Sequence, residues 1–352
     1  MAVSGLTWHG FAFTLIRRMK RRPFATLLGA SVLPAGWLVS QARATGGRAA
    51  AVLRIGWLSP SRAESDEALT GRRLLNKWLR LSGHDEGRNL FVERRYAEAD
   101  AARLTALAQD LVQTEVDLII ALHNDAIAAA RAATTRIPIV MLGGIDPVEL
   151  GFVETLARPG ANVTGVASAG IDGPTRALQA LKDAAPRTRR VAALLDSRTP
   201  GAPRLGPATD RLALSLGLQL EYFDIRRPQD IAPNLRRIAS RRADALFVAG
   251  DPLLAPRLPD ILAFARRQGL VSVGMTRQFA EAGGMLSVAP DRSHLIERSV
   301  AFADRILRGA RPQDLPVEEP TRYALVVNLA TAGLMGLEVP RQLLQRADEV
   351  IE

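Results

Sequence analysis

The chain has 352 residues, 46 of them basic and 36 acidic, and no cysteine. The missing cysteine excludes disulfides, a thiol nucleophile, thiolate metal sites and a lipid tether at a processed N-terminal Cys. Residues 1–44 hold six basic residues and no acid, so the rest carries 40 basic against 36 acidic residues, spread along the chain rather than concentrated as in a nucleic-acid footprint.

The N-terminus reads as a bacterial export signal. Arg17-Arg18-Met19-Lys20-Arg21-Arg22 is a positive cluster, an apolar run extends from Phe24 to Val39, and Gln41-Ala42-Arg43-Ala44 ends in the small-residue pattern of a cleavage site. The apolar run contains Gly29, Pro34 and Gly36 and falls short of the ~20 residues a membrane-spanning helix needs. Cleavage is expected after Ala44, with residues 45–52 as a short linker. Arg21-Arg22-Pro23-Phe24 leaves twin-arginine export open, and Met19 is a second possible start. The expected product is a soluble periplasmic protein.

About 300 mature residues exceed what one hydrophobic core usually supports, so two lobes are expected. Leu53 to Leu58 reads as a strand, 66–81 as a helix, and Leu90 to Tyr96 as an alternating strand. Residues 101–112 have helical apolar spacing, and Val116 to Ala121 is the nearly continuous apolar run of a strand buried on both faces. An Ala-rich helix over 124–134 and a strand over 137–142 follow. A second series begins after Asn162-Val163-Thr164-Gly165-Val166: helix 174–184, strand 190–195, helix 208–216, strand 218–223, helix 231–241, strand 244–248, helix 258–267 and strand 271–275. A strand at 283–288, a long helix over 293–308 and an apolar strand at 323–328 complete the chain. Strands alternating with helices of about a dozen residues predict βαβ units, hence α/β with two doubly wound parallel-sheet lobes.

In open parallel sheets ligands collect beyond the carboxyl ends of strands. There the sequence places Ser59-Pro60-Ser61, His123-Asn124-Asp125, Gly143-Gly144-Ile145-Asp146-Pro147, Asp196-Ser197-Arg198, Gly250-Asp251-Pro252 and Met275-Thr276-Arg277. Any one of these serines or aspartates could simply cap a helix. Three groups from each block at equivalent strand ends instead suggest a ligand cleft. Trp57 either lines an apolar subsite or packs between sheet and helix.

Catalytic signatures are missing from the sequence. Histidine occurs only at 9, 84, 123 and 294, and no His-Glu-x-x-His is present. Ser168 lacks the first glycine of a nucleophile elbow, and no Gly-x-Gly-x-x-Gly or Gly-Lys-Ser/Thr phosphate loop occurs. The chain therefore reads as a binding protein without cofactor, metal or catalytic residue; the alternative is an exported α/β enzyme acting on a small polar substrate.

Several segments carry a resemblance. They are Arg54-Ile55-Gly56-Trp57-Leu58-Ser59; Thr134-Thr135-Arg136-Ile137-Pro138-Ile139-Val140 running into Gly144-Ile145-Asp146-Pro147-Val148-Glu149-Leu150-Gly151; and Arg158-Pro159-Gly160-Ala161-Asn162-Val163-Thr164-Gly165. Ala243-Asp244-Ala245-Leu246, the Gly250-Asp251-Pro252 turn, the stretch from Pro320 to Ala332 and the ending Ala347-Asp348-Glu349-Val350-Ile351 complete the set. In order and spacing they resemble the ABC-transporter substrate-binding family whose better-known members take up tryptophan, tyrosine or phenylalanine.

That resemblance implies a periplasmic-binding-protein type I fold, with lobes formed by 53–166 plus 284–315 and by 167–283 plus 316–352. Three crossing strands would lie near 164–171, 280–290 and 316–328. It further implies hinge closure on a small solute, and delivery by a monomer to an ABC permease and its ATPase at the inner membrane, with no nucleic-acid partner. Carried over by position, the ligand-binding residues are Ser59, Ser61, His123, Asn124, Asp125, Gly143, Gly144, Asp146, Asp196, Ser197, Arg198, Gly250, Asp251, Met275 and Arg277. Where many relatives have a small Thr/Gly/Pro loop after the third strand, this chain has the bulkier, partly acidic His123-Asn124-Asp125.

Overall fold

Two mainly parallel sheets and the helices that cover them account for almost every described element. The computed structural model describes residues 52–168, 172–198, 206–251 and 253–352; the expected export segment lies outside the described residues. The first series runs β1 (Leu53–Ser59), α1 (Asp66–Leu81), β2 (Leu90–Tyr96), α2 (Leu104–Gln113), β3 (Leu118–Leu122), α3 (His123–Ala133), β4 (Ile139–Gly144) and β5 (Val163–Ala167). Its strands pair in the order β2-β1-β3-β4-β5, all parallel.

Every residue of β3 and β4 is buried, and the period of two explains how. Leu118, Ile120 and Leu122 pack on one face with Leu75 and Leu79 of α1, whereas Ile119 and Ala121 pack on the other with Leu104, Ala108 and Leu111 of α2. A strand covered on both faces needs no polar alternation, which is why it reads as a continuous apolar run.

The second series comprises α4 (Asp172–Ala184), β6 (Arg190–Leu195), α5 (Pro207–Ser215), β7 (Gln219–Asp224), α6 (Ile231–Ser240), β8 (Ala245–Val248), α7 (Leu258–Arg267), β9 (Val271–Gly274), α8 (Arg277–Glu281) and β10 (Leu286–Pro290). A helix on the first sheet follows, α9 (Arg292–Leu307), and then β11 (Tyr323–Asn328), α10 (Leu329–Leu334), α11 (Arg341–Arg346) and β12 (Glu349–Ile351). The second sheet has the order β12-β11-β10-β9-β8-β6-β7. Its β7-β6-β8-β9-β10 portion repeats the connectivity of the first sheet. Val191, Ala193 and Leu195 face one core, Ala192 and Leu194 the other.

Two expectations need adjustment. The second sheet is not wholly parallel: β10 and β11 are antiparallel, with Pro290 opposite Tyr323. The chain leaves β10 for the first sheet and returns beside the same end, so β11 has to run back along its neighbour. Second, 286–290 belongs to the second sheet, because Leu286 and Val288 share a core with Val273 and Val327. The return to the first sheet therefore starts at α9, not at 284. It lasts past 315, since Val317 sits in the first sheet's core and Glu318 bridges Val166.

Three passages thus join the sheets: 168–172, 290–292 and 318–323. The first leaves the carboxyl end of β5, the second leaves the carboxyl end of β10, and the third starts beside β5 and ends beside Pro290. Backbone bonds tie them: Ala167 N–H donates to Glu318 O at 2.8 Å, Glu318 N–H to Gly165 O at 3.0 Å, and Asp291 N–H to Arg322 O at 2.9 Å. Gly165 has φ +131°, and a Cβ there would lie 2.3 Å from Met141 O, so only glycine lets β4 and β5 approach this closely.

Candidate functional site

All three passages connect carboxyl strand ends to carboxyl strand ends, so connectivity brings the two carboxyl edges together. Within each sheet the order reverses once, between β1 and β3 and between β6 and β8. Helices on either side of such a switch diverge and leave a crevice. The loops singled out from sequence that follow β1, β3, β6 and β8 stand at these two switch points.

On the first sheet the side chains form one connected rim. Ser59 is buried at the end of β1, and its Oγ accepts from Ser61 N–H at 3.2 Å. Ser61 Oγ donates to Glu67 Oε2 at 2.9 Å, and His123 Nε2 lies 3.4 Å from Glu67 Oε1. His123 is the first residue of α3 and has φ +61°, a left-handed conformation that costs a non-glycine residue about 1–2 kcal/mol. Such strain tends to persist at functional sites. Asn124 turns inward: its Oδ1 accepts from Ile145 N–H at 2.8 Å and pins the loop after β4 to α3. Asp125 is exposed in the first turn of α3.

The β4 loop is shaped by close approach. Gly143 has φ +80°, and a Cβ on Gly144 would meet Ile127 Cδ1 at 3.0 Å and Met141 Sδ at 3.1 Å. Asp146 is buried with φ +47°. Its backbone carbonyl accepts from Leu150 N–H at 3.0 Å.

On the second sheet Asp196 is buried and held by Arg198, whose Nε and Nη2 reach Oδ1 and Oδ2 at 2.9 and 2.6 Å. The Arg198 hydrogen bond, working against burial, keeps the Asp196 carboxyl below its usual range. Ser197 is bound through N–H and Oγ to Asp224 at the end of β7, at 2.8 and 2.9 Å. Gly250 lies against the β9 loop, because a Cβ would meet Thr276 Cγ2 at 2.9 Å. Asp251 is buried, and its Oδ1 accepts from Leu253 N–H at 2.7 Å. Met275 is half-buried, its Cε 2.9 Å from where a Gly173 Cβ would stand.

Arg277 is drawn elsewhere. Its guanidinium bonds Glu281 at 2.8 Å and Glu349 on β12, and Glu349 raises its pKa. Trp57 is only 2 % exposed and packs with Leu75 and Ile296, so its ring belongs to the core.

Two charged residues of this rim were missed from sequence. Glu67, in the first turn of α1, gathers Ser61, His123 and Arg292. Its carboxyl is lowered from 4.5 to about 2, chiefly by the His123 hydrogen bond. Arg292 opens α9, and its Nη2 donates to Glu67 O at 2.7 Å and lies 3.6 Å from Glu67 Oε1. Burial lowers the Arg292 pKa, with Glu67 the opposing charge. Among the described residues, no group of three or more His, Cys, Asp or Glu is placed to hold a metal, and no helix is long and apolar enough to cross a membrane.

A family model described as ABC transporter substrate binding protein matches residues 64–351. The chain is 22% identical over 263 residues to a tyrosine-binding protein of Clostridioides difficile (strain R20291), covering 74% of this chain and 75% of that one. Its fold is similar to an ABC domain from Streptococcus pneumoniae solved in complex with L-Trp, with a TM-score of 0.70 and 23% identity over 85% of this chain and 99% of that one. It is also similar to the ligand-free, open structure of a substrate binding protein with adhesive properties from Clostridium difficile. There the TM-score is 0.72 and the identity 23%, with the same coverage of 85% and 99%.

Proposed function

The chain belongs to the ABC transporter substrate-binding protein family, and we propose that it captures an amino acid or related small solute, aromatic ones included, between its two lobes. The observation that carries this reading is the convergence of both switch-point crevices on one side, through three passages that each join carboxyl edge to carboxyl edge. A solute gripped from both lobes favours the closed arrangement by the contacts it gains there, and binding to one lobe alone would shift nothing. The closed form is then the one a permease and its ATPase receive. The printed ligands of two relatives, tyrosine and L-Trp, support the amino acid class.

The protein acts as a monomeric carrier in the periplasm and leaves its solute chemically unchanged. Serine hydroxyls and helix N-terminal N–H groups at the rims suit a carboxylate, and the acids there suit an ammonium. Native mass spectrometry of freshly purified mature protein, followed by calorimetry with L-tyrosine, L-tryptophan, L-phenylalanine and L-leucine, tests this. One bound small molecule per chain, displaced by at least one of these amino acids, is the expected result. Catalytic turnover of a bound compound would refute it.

A further inference from the structure

We infer that Arg292 is the anion-reading residue of the cleft, taking the carboxylate of the solute, with Glu67 as the residue that positions it. This inference rests on the solute-carrier reading and adds a determinant on the first lobe.

Arg292 ends the second passage, so it stands where the chain crosses from the carboxyl edge of the second sheet to that of the first. Its guanidinium lies over α1: a Cβ on Gly71 would be 3.1 Å from Arg292 Nη2 and 3.6 Å from Trp57 Cζ2. Glycine at 71 is what admits the guanidinium to this position. Through Glu67 the group joins Ser61 and His123, the loops of the β1/β3 switch point.

The Glu67 carboxylate, 3.6 Å from Nη2, gives the guanidinium an ion pair but no hydrogen bond, so its charge is answered only in part. A cation at the first position of a helix opposes the positive end of the helix dipole, and α9 begins with Arg292. The first turn of α1 meets the same guanidinium through Glu67. Its side chain is 36% exposed, and burial disfavours its charge. Arginine has five N–H donors. Among the described residues, the bond to Glu67 O is the single hydrogen bond it makes. The buried Trp57 Nε1–H, on the ring that shares the Gly71 contact, has no acceptor among the described residues.

A desolvated guanidinium with unused donors, left partly open to solvent beside a cleft, fits a bidentate carboxylate. Glu67 holds the group from one side through its backbone carbonyl and leaves the fork's other edge available. Glu67 is therefore a positioning residue: its carboxylate accepts from Ser61, contacts His123 and pairs with the guanidinium at 3.6 Å without taking a hydrogen bond from it.

The test uses full mature chain, wild type, Arg292→Met and Arg292→Lys, each first checked by circular dichroism for native unfolding. Thermal-shift and calorimetric titrations then use L-tyrosine, L-tryptophan and L-leucine, their carboxamides, the corresponding amines, and an uncharged sugar. The expected result is that wild type prefers carboxylates over carboxamides by about 10- to 100-fold, the size of one charge-assisted pair. Arg292→Met should abolish that preference, and Arg292→Lys should retain part of it. Equal affinity of wild type for acid and carboxamide, or unchanged preference in Arg292→Met, would overturn the assignment and leave the carrier reading standing. Wild type stabilised by the sugar alone would overturn both this assignment and the amino acid class of the solute. Turnover of a probe would instead strike the carrier reading.

Discussion

The backbone at His123 makes a prediction whose sign is opposite to the usual one. At an ordinary helical position alanine is more stable than glycine by about 1 kcal/mol. His123 opens α3 at φ +61°, where an L side chain costs about 1–2 kcal/mol and glycine costs little beyond its unfolded-state entropy of about 0.5–1 kcal/mol. Both His123→Ala and His123→Gly lose the 3.4 Å contact with Glu67, so that contact cancels from their difference. Glycine should then be the more stable by about 0.5–1 kcal/mol. Wild type should lie near the glycine variant, since the Glu67 contact between groups 55% and 44% exposed adds at most about 1 kcal/mol. Urea unfolding of the three mature chains, followed by circular dichroism at one pH, measures this. The thermal midpoints of the two variants should differ by about 2 °C, given the size of the molecule. If His123→Ala proves more stable than His123→Gly, the left-handed geometry is wrong, and the argument that the third-strand loop is held in strain fails with it.

Gly165→Ala should destabilise by more than about 3 kcal/mol, because its Cβ would stand 2.3 Å from a backbone oxygen of β4 that cannot swing aside; an unchanged unfolding midpoint would contradict the packing of β5. Glu67→Gln bears on pH. The folded carboxyl is lowered from 4.5 to about 2, so its stabilisation is complete above about pH 5 and is lost as pH falls through 4.5 toward 2. Discounted for solvent exposure, wild type should exceed the variant by about 1 kcal/mol at pH 6, and the two should converge near pH 2. A gap that widens on acidification would refute the assigned shift. Glu349→Gln removes an exposed pair with Arg277 and should cost under about 1 kcal/mol overall, while increasing amide exchange at Val350 and Ile351 at the sheet edge.

The alternation of strands and helices was legible because both sheets are covered on both faces. A run such as Leu118 to Leu122 has to be apolar throughout when α1 and α9 lie on one side and α2 and α3 on the other. Strand direction carries no such imprint. Tyr323 to Asn328 reads the same whether it runs with or against β10, and Leu286 to Pro290 is equally apolar in either sheet. Both questions were settled by where the chain crosses, which depends on partners such as Glu318 with Val166, 152 positions apart in register terms that no local pattern encodes. Helices of five or six residues, α8, α10 and α11, are too short to show a 3.6-residue period.

The site divides in the same way. Loops after parallel strands can be named from sequence, because all such ends point one way; that rule points to Ser59, Ser61, His123 and the Asp196 and Asp251 turns, each of which lies at or just after a strand end. It cannot say which charges are already answered. Arg277 looked available until Glu349, 72 positions on, was seen to hold it, and Ser197 looked like a free hydroxyl although Asp224 binds it twice. Glu67 and Arg292 escaped for a further reason: each lies in the first turn of a helix, 225 positions apart, and on its own each reads as a solvated surface charge. Their meaning comes from the topology. When three passages join carboxyl edges, the helices that return along a sheet also begin at that edge. Helix first turns therefore belong in a search for the candidate cleft as much as strand ends do, and the arginine among those positive ends, paired with Glu67 at 3.6 Å, keeps donors for a second anion.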